Sequence, residues 1–262
     1  TEDINVNFTM ALDETIKNDA NAYVLITVDG KEYKFTAQQA VAGQLTVPTA
    51  AAQMKDEIQV TVYDGNGTAG TTFTYCVHQY ADYILRNSTD EALKTLVKHM
   101  LNYGAAAQSY FDHNAEDLVN KDVSVTLVDP ENINTPATET GTIDGIEFYG
   151  ASLVAREKVH IRYYFTVADT VEQATFTCNG SPLKVYKYDG LYYVQVPGLN
   201  PAEYDDVITV TVTSGENTYT VSYSVMQYIQ RVYHRDTTEE GLKVLVKAMY
   251  NYHLAAEAYS AP

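Results

Sequence analysis

Apolar residues recur along this chain with two periods. From Ile4 to Met10, Ala22 to Val28, Glu57 to Tyr63, Lys158 to Val167, Leu183 to Tyr188, Leu191 to Val196 and Asp206 to Thr213, apolar and polar side chains alternate. A period near two predicts strands with one face buried. Clusters such as DGNG at Asp64 to Gly67, SGEN at Ser214 to Asn217 and PGLNP at Pro197 to Pro201 punctuate them as turns. After Tyr75 and again after Tyr223 the period lengthens to that of a helix. Asp90 is placed to cap a helix whose face carries Leu93, Leu96, Val97, Met100, Gly104 and Ala107; Leu242, Leu245, Val246, Met249, His253 and Ala256 repeat that face.

The repetition extends over most of the chain. YCVHQYADYILRNSTDEALKTLVKHMLNYGAAAQSY returns as YSVMQYIQRVYHRDTTEEGLKVLVKAMYNYHLAAEAY, so that Tyr75 matches Tyr223 and Tyr103 matches Tyr252. Ile58, Val60 and Val62 match Ile208, Val210 and Val212; VDGKEY around Gly30 matches CNGSPL around Gly180; and Val6, Phe8 and Met10 match Ile161, Tyr163 and Phe165. The predicted fold is therefore α+β and mainly β: two tandem copies of an immunoglobulin-like β-sandwich, each followed by a helical hairpin, over 1–117 and 118–262. A polar stretch from Asp112 to Asp122 reads as the link. The second copy carries added sequence, VSVTLVDPENINTPATETGTIDGIEFYGASL, with no counterpart before Ile4. Either the chain enters its first module partway through, or the extra strand bridges the two copies. The recurring pairs Tyr80/Tyr228, Tyr103/Tyr252 and Tyr110/Tyr259 keep one helical phase and are assigned to packing.

Charge narrows the function. The 262 residues hold 17 Lys and Arg against 34 Asp and Glu, a net charge of −17, which repels rather than attracts a nucleic-acid backbone. No apolar run is long enough to span a membrane. The start TEDINVNF has no initiator Met and no signal-like region, so the chain is expected to be one piece of a longer multi-domain protein, and few cysteines, an acidic balance and abundant Thr, Tyr and Asn fit one that is secreted and extracellular or attached to the cell surface. Two cysteines, Cys76 and Cys178, are too few for a disulfide framework; they match Ser224 and Val28 in the sister copy and read as inert thiols.

No catalytic motif is present. GxSxG, P-loop, HExxH and dinucleotide patterns are missing, and His78, His99, His113, His160, His234 and His253 do not fall at ligand spacing. The chain is read as non-enzymatic, with no catalytic residue, no metal and no cofactor. Adjacent carboxylates at Asp90 and Glu91, or Glu239 and Glu240, suit the first turn of a helix better than a glycosidase pair, and DGNG lacks the later ligands of a calcium loop.

Tyrosine is the unusual residue: 23 Tyr and 7 Phe accompany no Trp. In LKVYKY, alternation turns Leu183 and Val185 inward and Tyr186 and Tyr188 outward; in YYVQV, Val194 and Val196 turn inward and Tyr193 and Gln195 outward. Asp189-Gly190 joins the two as a hairpin. In HIRYYF the outward row is His160, Arg162 and Tyr164. The candidate ligand-binding residues are Tyr186, Tyr188, Tyr193, Gln195, Arg162 and Tyr164. Rings that stack on a sugar, beside amide and guanidinium groups that reach its hydroxyls, suit a neutral polysaccharide. The other reading of this face is that helices cover it.

The strings LVKHMLNYGAAAQSYFDHN and LVKAMYNYHLAAEAY, with YGASL, RYYFTV and YYVQV, resemble modules of secreted proteins from gut ruminococci and related Firmicutes, in particular the two-lobed starch-binding module of starch adherence system (amylosome) proteins. The resemblance implies a non-catalytic unit that grips α-1,4-glucan, with starch or maltooligosaccharides as partner. Tyr186, Tyr188 and Tyr193 have no clear equivalents in the first copy, which leaves open whether one lobe binds or both. The alternative function is a structural or protein-interaction module of a secreted surface protein, with a glycosidase ranked last.

Overall fold

The computed structural model describes residues 4–155, 158–168 and 174–261, and the chain forms two compact units, Asp3–Val125 and Thr126–Pro262. The molecule is mainly β, with antiparallel sheets and helices in each unit. The division lies beyond the 117/118 position read from the sequence, because the polar stretch after the last helix folds back on the first unit. There Val119 is buried and its N–H donates to Gln108 Oε1 at 2.8 Å, while Asp117 pairs with Lys55 and Lys121.

In the first unit β1 (Asn5–Phe8) pairs with β4 (Leu45–Pro48), and β2 (Tyr23–Val28), β3 (Lys31–Thr36), β5 (Ile58–Tyr63) and β6 (Ala69–Tyr75) form a sheet in the order β3-β2-β5-β6. Val24, Ile26 and Val28 of β2 and Ile58, Val60 and Val62 of β5 meet Phe8, Leu45 and Val47 in one core. Each such side chain contributes roughly 1.5–3 kcal/mol by leaving water. Two short helices, α1 (Glu14–Lys17) and α2 (Ala37–Val41), fill connections. The helices α3 (Val77–Asn87) and α4 (Glu91–Phe111) close the unit. Asp90 caps α4 through Leu93 N–H at 3.0 Å, as the spacing predicts.

The second unit repeats this order with additions. Added strands β7 (Thr138–Gly141) and β8 (Ile146–Ala155) precede β9 (Val159–Val167), β10 (Thr175–Cys178), β11 (Ser181–Pro182), β12 (Val185–Tyr188), β13 (Leu191–Gln195), β14 (Ile208–Ser214) and β15 (Asn217–Tyr223). The two sheets run β11-β10-β14-β15-β7 and β12-β13-β9-β8. They share a core in which Phe165 of β9 lies 5.2 Å from Phe176 of β10. The helices α5 (Val225–His234) and α6 (Glu240–Ser260) follow. Ser224 caps α5 by accepting from Gln227 N–H at 3.1 Å, and Cys76 holds the equivalent place before α3, donating its N–H to Gln79 at 2.9 Å. Cys178 is buried where the sister unit has Val28, and burial raises its thiol pKa. No helix among the described residues is long and apolar enough to cross a membrane.

The long helix of each unit docks on a short 3-10 turn, Ala51–Gln53 or Pro201–Glu203. Gly104 permits the first contact: a Cβ there would stand 2.8 Å from Met54 Sδ, 3.0 Å from Val119 Cγ1 and 3.1 Å from the carbonyl of Ala51. The position in α6 that matches Gly104 is His253, which instead reaches across, its Nδ1 2.7 Å from the carbonyl of Pro201 and its ring stacked on Tyr204. Of the tyrosines assigned to packing, Tyr103 and Tyr252 are buried, whereas Tyr80 and Tyr259 are exposed. The buried stripe of α3 is Val77, Ala81 and Ile84, which leaves Tyr80 just off its edge, and Tyr259 lies in the exposed last turn of α6.

Gly104→Val should destabilise the first unit by about 1–3 kcal/mol, because the Ala51 backbone cannot yield to the added atoms; urea unfolding measures it. The ammonium groups of Lys121 and Lys55 hold the Asp117 carboxyl down to about 2, from an ordinary 3.8. A depressed folded-state pKa stabilises above the ordinary value and that contribution fades as pH falls from about 4 towards 2, so Asp117→Asn should flatten this part of the acid-melting profile. Added salt should weaken the effect, since the carboxylate is exposed.

Candidate functional site

The outer face of β12-β13-β9-β8 carries the predicted residues. Its register is set from the inside: Ile161, Tyr163 and Phe165 of β9 and Val194 of β13 are buried. Tyr163 locks the strand further, its hydroxyl lying 2.7 Å from the carbonyl of Ile208 and 3.3 Å from that of Tyr223, in the other sheet. Burial pushes the pKa of that hydroxyl far above the ordinary tyrosine value, so it remains a donor. With alternate residues committed inward, Arg162 and Tyr164 of β9 and Tyr193 and Gln195 of β13 must face outward.

Pairing then aligns the rings. Tyr186, Tyr193 and Tyr164 occupy one cross-strand row through β12, β13 and β9. Tyr186 stacks on Tyr193 with centroids 5.1 Å apart and planes 16° from parallel, and Tyr164 lies 5.4 Å from Tyr193 at 38°. The guanidinium of Arg162 sits 4.9 Å from the centroid of Tyr193, and its Nε donates to Gln195 Oε1 at 3.0 Å. That bond fixes the plane of the guanidinium and orients the Gln195 amide. Lys184 adds a cation 5.1 Å from the centroid of Tyr186. A chain of net charge −17 thus gathers cations around this row.

The six predicted residues lie on these neighbouring strands. Tyr186 is 41 % exposed and Tyr188 68 %, while Tyr193, Tyr164, Arg162 and Gln195 are half-buried among their neighbours. Tyr188 lies beside the Asp189-Gly190 turn, where φ values of 48° and 77° make the tight turn that asparagine, aspartate and glycine tolerate. Val185 departs from the expectation. Predicted to point into the core, it is exposed, because β12 is the edge strand of its sheet. On that side Lys187 also lies along Tyr192, 5.0 Å from its centroid.

Strand β8 adds two residues that sequence reasoning missed. Ser152 Oγ lies 3.2 Å from the hydroxyl of Tyr164, extending the polar edge of the row. Tyr149 is 70 % exposed at the irregularity between Phe148 and Gly150, and Gly150 pairs with Tyr164. The alternation in IEFYGASLVA was the available signal, with Ile146 and Phe148 on the inner side.

Other candidate chemistry resolves into structure. Asp64 in DGNG accepts from the N–H groups of Asn66 and Thr68 at 2.9 and 2.7 Å, which lowers its pKa and closes the hairpin on itself. Glu91 pairs with Lys94 on the first turn of α4. Among the described residues, Asp205, His253 and Glu257 bring ligand-type atoms within 4.8 Å of one another. His253 there bridges Glu257, at 3.2 Å, and the carbonyl of Pro201, so the group serves as a brace between α6 and the 3-10 turn. No protein-family model matches the chain, and no curated protein is significantly similar to it.

Proposed function

We propose that this chain is a non-catalytic carbohydrate-binding module for starch and maltooligosaccharides, built as two immunoglobulin-like sandwiches with helical hairpins and working within a larger secreted, cell-surface protein of a gut bacterium. The observation that carries the reading is the row Tyr186, Tyr193, Tyr164 with the Arg162–Gln195 pair at its side. Stacked rings are held rigid before any ligand arrives, so little side-chain freedom is lost on binding. Exposed Tyr188 and Tyr149 supply ring faces for the apolar side of a sugar, and the row supplies hydroxyl, amide and guanidinium groups for its hydroxyls.

Binding belongs to the second unit. In the first, the positions matching Arg162 and Gln195 are Asn7 and Thr46, which bond to each other at 2.7 Å, and those matching Tyr164 and Tyr193 are Thr9 and Gln44. The polar pair persists there and the rings do not. An open row of this kind implies modest affinity for a short oligosaccharide and a gain on an insoluble surface that many copies contact at once.

Granular starch should deplete the purified chain from solution, with cellulose and xylan as controls that do not. Replacing Tyr186, Tyr188 and Tyr193 together by Ala should abolish the depletion and leave the melting transition in place. Each single replacement should weaken maltooligosaccharide binding by about 0.5–1.5 kcal/mol, or about 2- to 13-fold, in a calorimetric titration. Failure of starch to deplete the unaltered chain would overturn the proposal. In the same titration Asn7→Ala, in the first unit, should have no effect.

A further inference from the structure

Inside the second unit, the chain from Val128 to Pro136 runs along α6 and α5 before β7 begins, and side chains of the two helices pin it. Asn251 of α6 accepts from the N–H of Val128 at 2.9 Å and donates to its carbonyl at 2.8 Å. His234 of α5 donates to the carbonyl of Pro130 at 2.7 Å, and Gln227 donates to that of Pro136 at 3.3 Å. Between the last two pins, Asn132 and Asn134 form one wall of an open groove of about 340 Å³. Its other wall is the last part of α5, with Gln230, Arg231, His234 and the adjoining Arg235.

The charge of this lining is opposite to that of the chain. Two of the five arginines meet here in a protein of net charge −17, and among the described residues that line the groove none is acidic. Neither arginine has a carboxylate partner among the described residues, whereas Lys247 of α6 is paired with Asp129 at 2.6 Å. Arg231 lies beside the hydroxyl of buried Tyr223, which limits its swing. Cations at the end of a helix answer its dipole, and that accounts for His234 and Arg235. It does not account for Gln230, which is 8 % exposed, borders the groove and has an amide without a hydrogen-bond partner among the described residues. A buried amide is costly to leave unpaired, so its place beside the groove points to a partner that enters there.

We propose that this groove binds a sugar-sized, hydroxylated oxoanion: a hexuronic acid where the charged group is a carboxylate, a hexose phosphate where it is a phosphate. Arg231 and Arg235 present guanidinium forks whose N–H groups match the oxygens of either group. The amides of Gln230, Asn132 and Asn134 both donate and accept, as sugar hydroxyls require. The volume suits a single sugar ring, near the lower limit of small-molecule pockets. The site shares no residue with the tyrosine row and stands whether or not the chain binds starch.

The test titrates glucuronate, glucose 6-phosphate, glucose and inorganic phosphate into the full chain, with calorimetry as the readout. One of the two acidic sugars should bind saturably, about 10-fold or more tighter than glucose or inorganic phosphate, and which one it is distinguishes carboxylate from phosphate. Added salt should weaken that binding. Arg235→Gln, at an exposed position, should weaken it by about 10-fold or more, and Gln230→Met, which keeps the shape and removes the amide, should also weaken it. If Gln230→Met does not fold, as judged by its melting transition, Asn134→Ala on the opposite wall takes its place. Tyr186→Ala should leave the acidic-sugar titration unchanged, and Arg235→Gln should leave any maltooligosaccharide binding unchanged. The proposal is overturned if neither acidic sugar binds, if glucose binds as tightly as both, if inorganic phosphate matches glucose 6-phosphate while glucuronate does not bind, or if Arg235→Gln has no effect.

Discussion

Burial of the inner face of β9 is the constraint on which the candidate site depends. Ile161, Tyr163 and Phe165 fill the core of the second unit, and the Tyr163 hydroxyl is tied to the backbone of the opposite sheet. A slip of one residue would carry that hydroxyl to solvent, strand two carbonyls and turn the apolar row outward. Because the strand cannot slip, Arg162 and Tyr164 have one place to go. Pairing with β13 and β12 then sets Tyr193 and Tyr186 beside them at stacking distance.

The two units use one plan with different closures. Where α4 meets its 3-10 turn the contact is made by the absence of a side chain, at Gly104; where α6 meets the equivalent turn it is made by His253, bonded to Pro201 and stacked on Tyr204. Met54 and Tyr204, matched in the repeat, adjust the space to each solution. Residue size is thus redistributed between facing elements.

The sheets diverge more than the helices. The hairpin of β12 and β13 gives the second unit its tyrosine row, whereas the first unit has α2 between β3 and β4 and only a two-stranded partner sheet. In turn β7 and β8 extend the two sheets of the second unit by one strand each. The second unit therefore carries the aromatic row on its outer face.

Local patterns made much of this legible in the sequence. Alternation in HIRYYF and YYVQV placed Arg162, Tyr164, Tyr193 and Gln195 on one side of their strands, and Asp189-Gly190 announced the hairpin that brings Tyr186 to Tyr193, because side-chain direction and turn geometry are decided by a few consecutive residues. Tertiary structure alone decided which of those sides is open. Val185 alternates like a core residue yet is exposed on an edge strand, Tyr80 follows the helical period yet misses the buried stripe, and Tyr149 and Ser152 join the site only because β8 pairs with β9. Sheet order and edge coverage arise from contacts between segments far apart in the chain, and no local period records them.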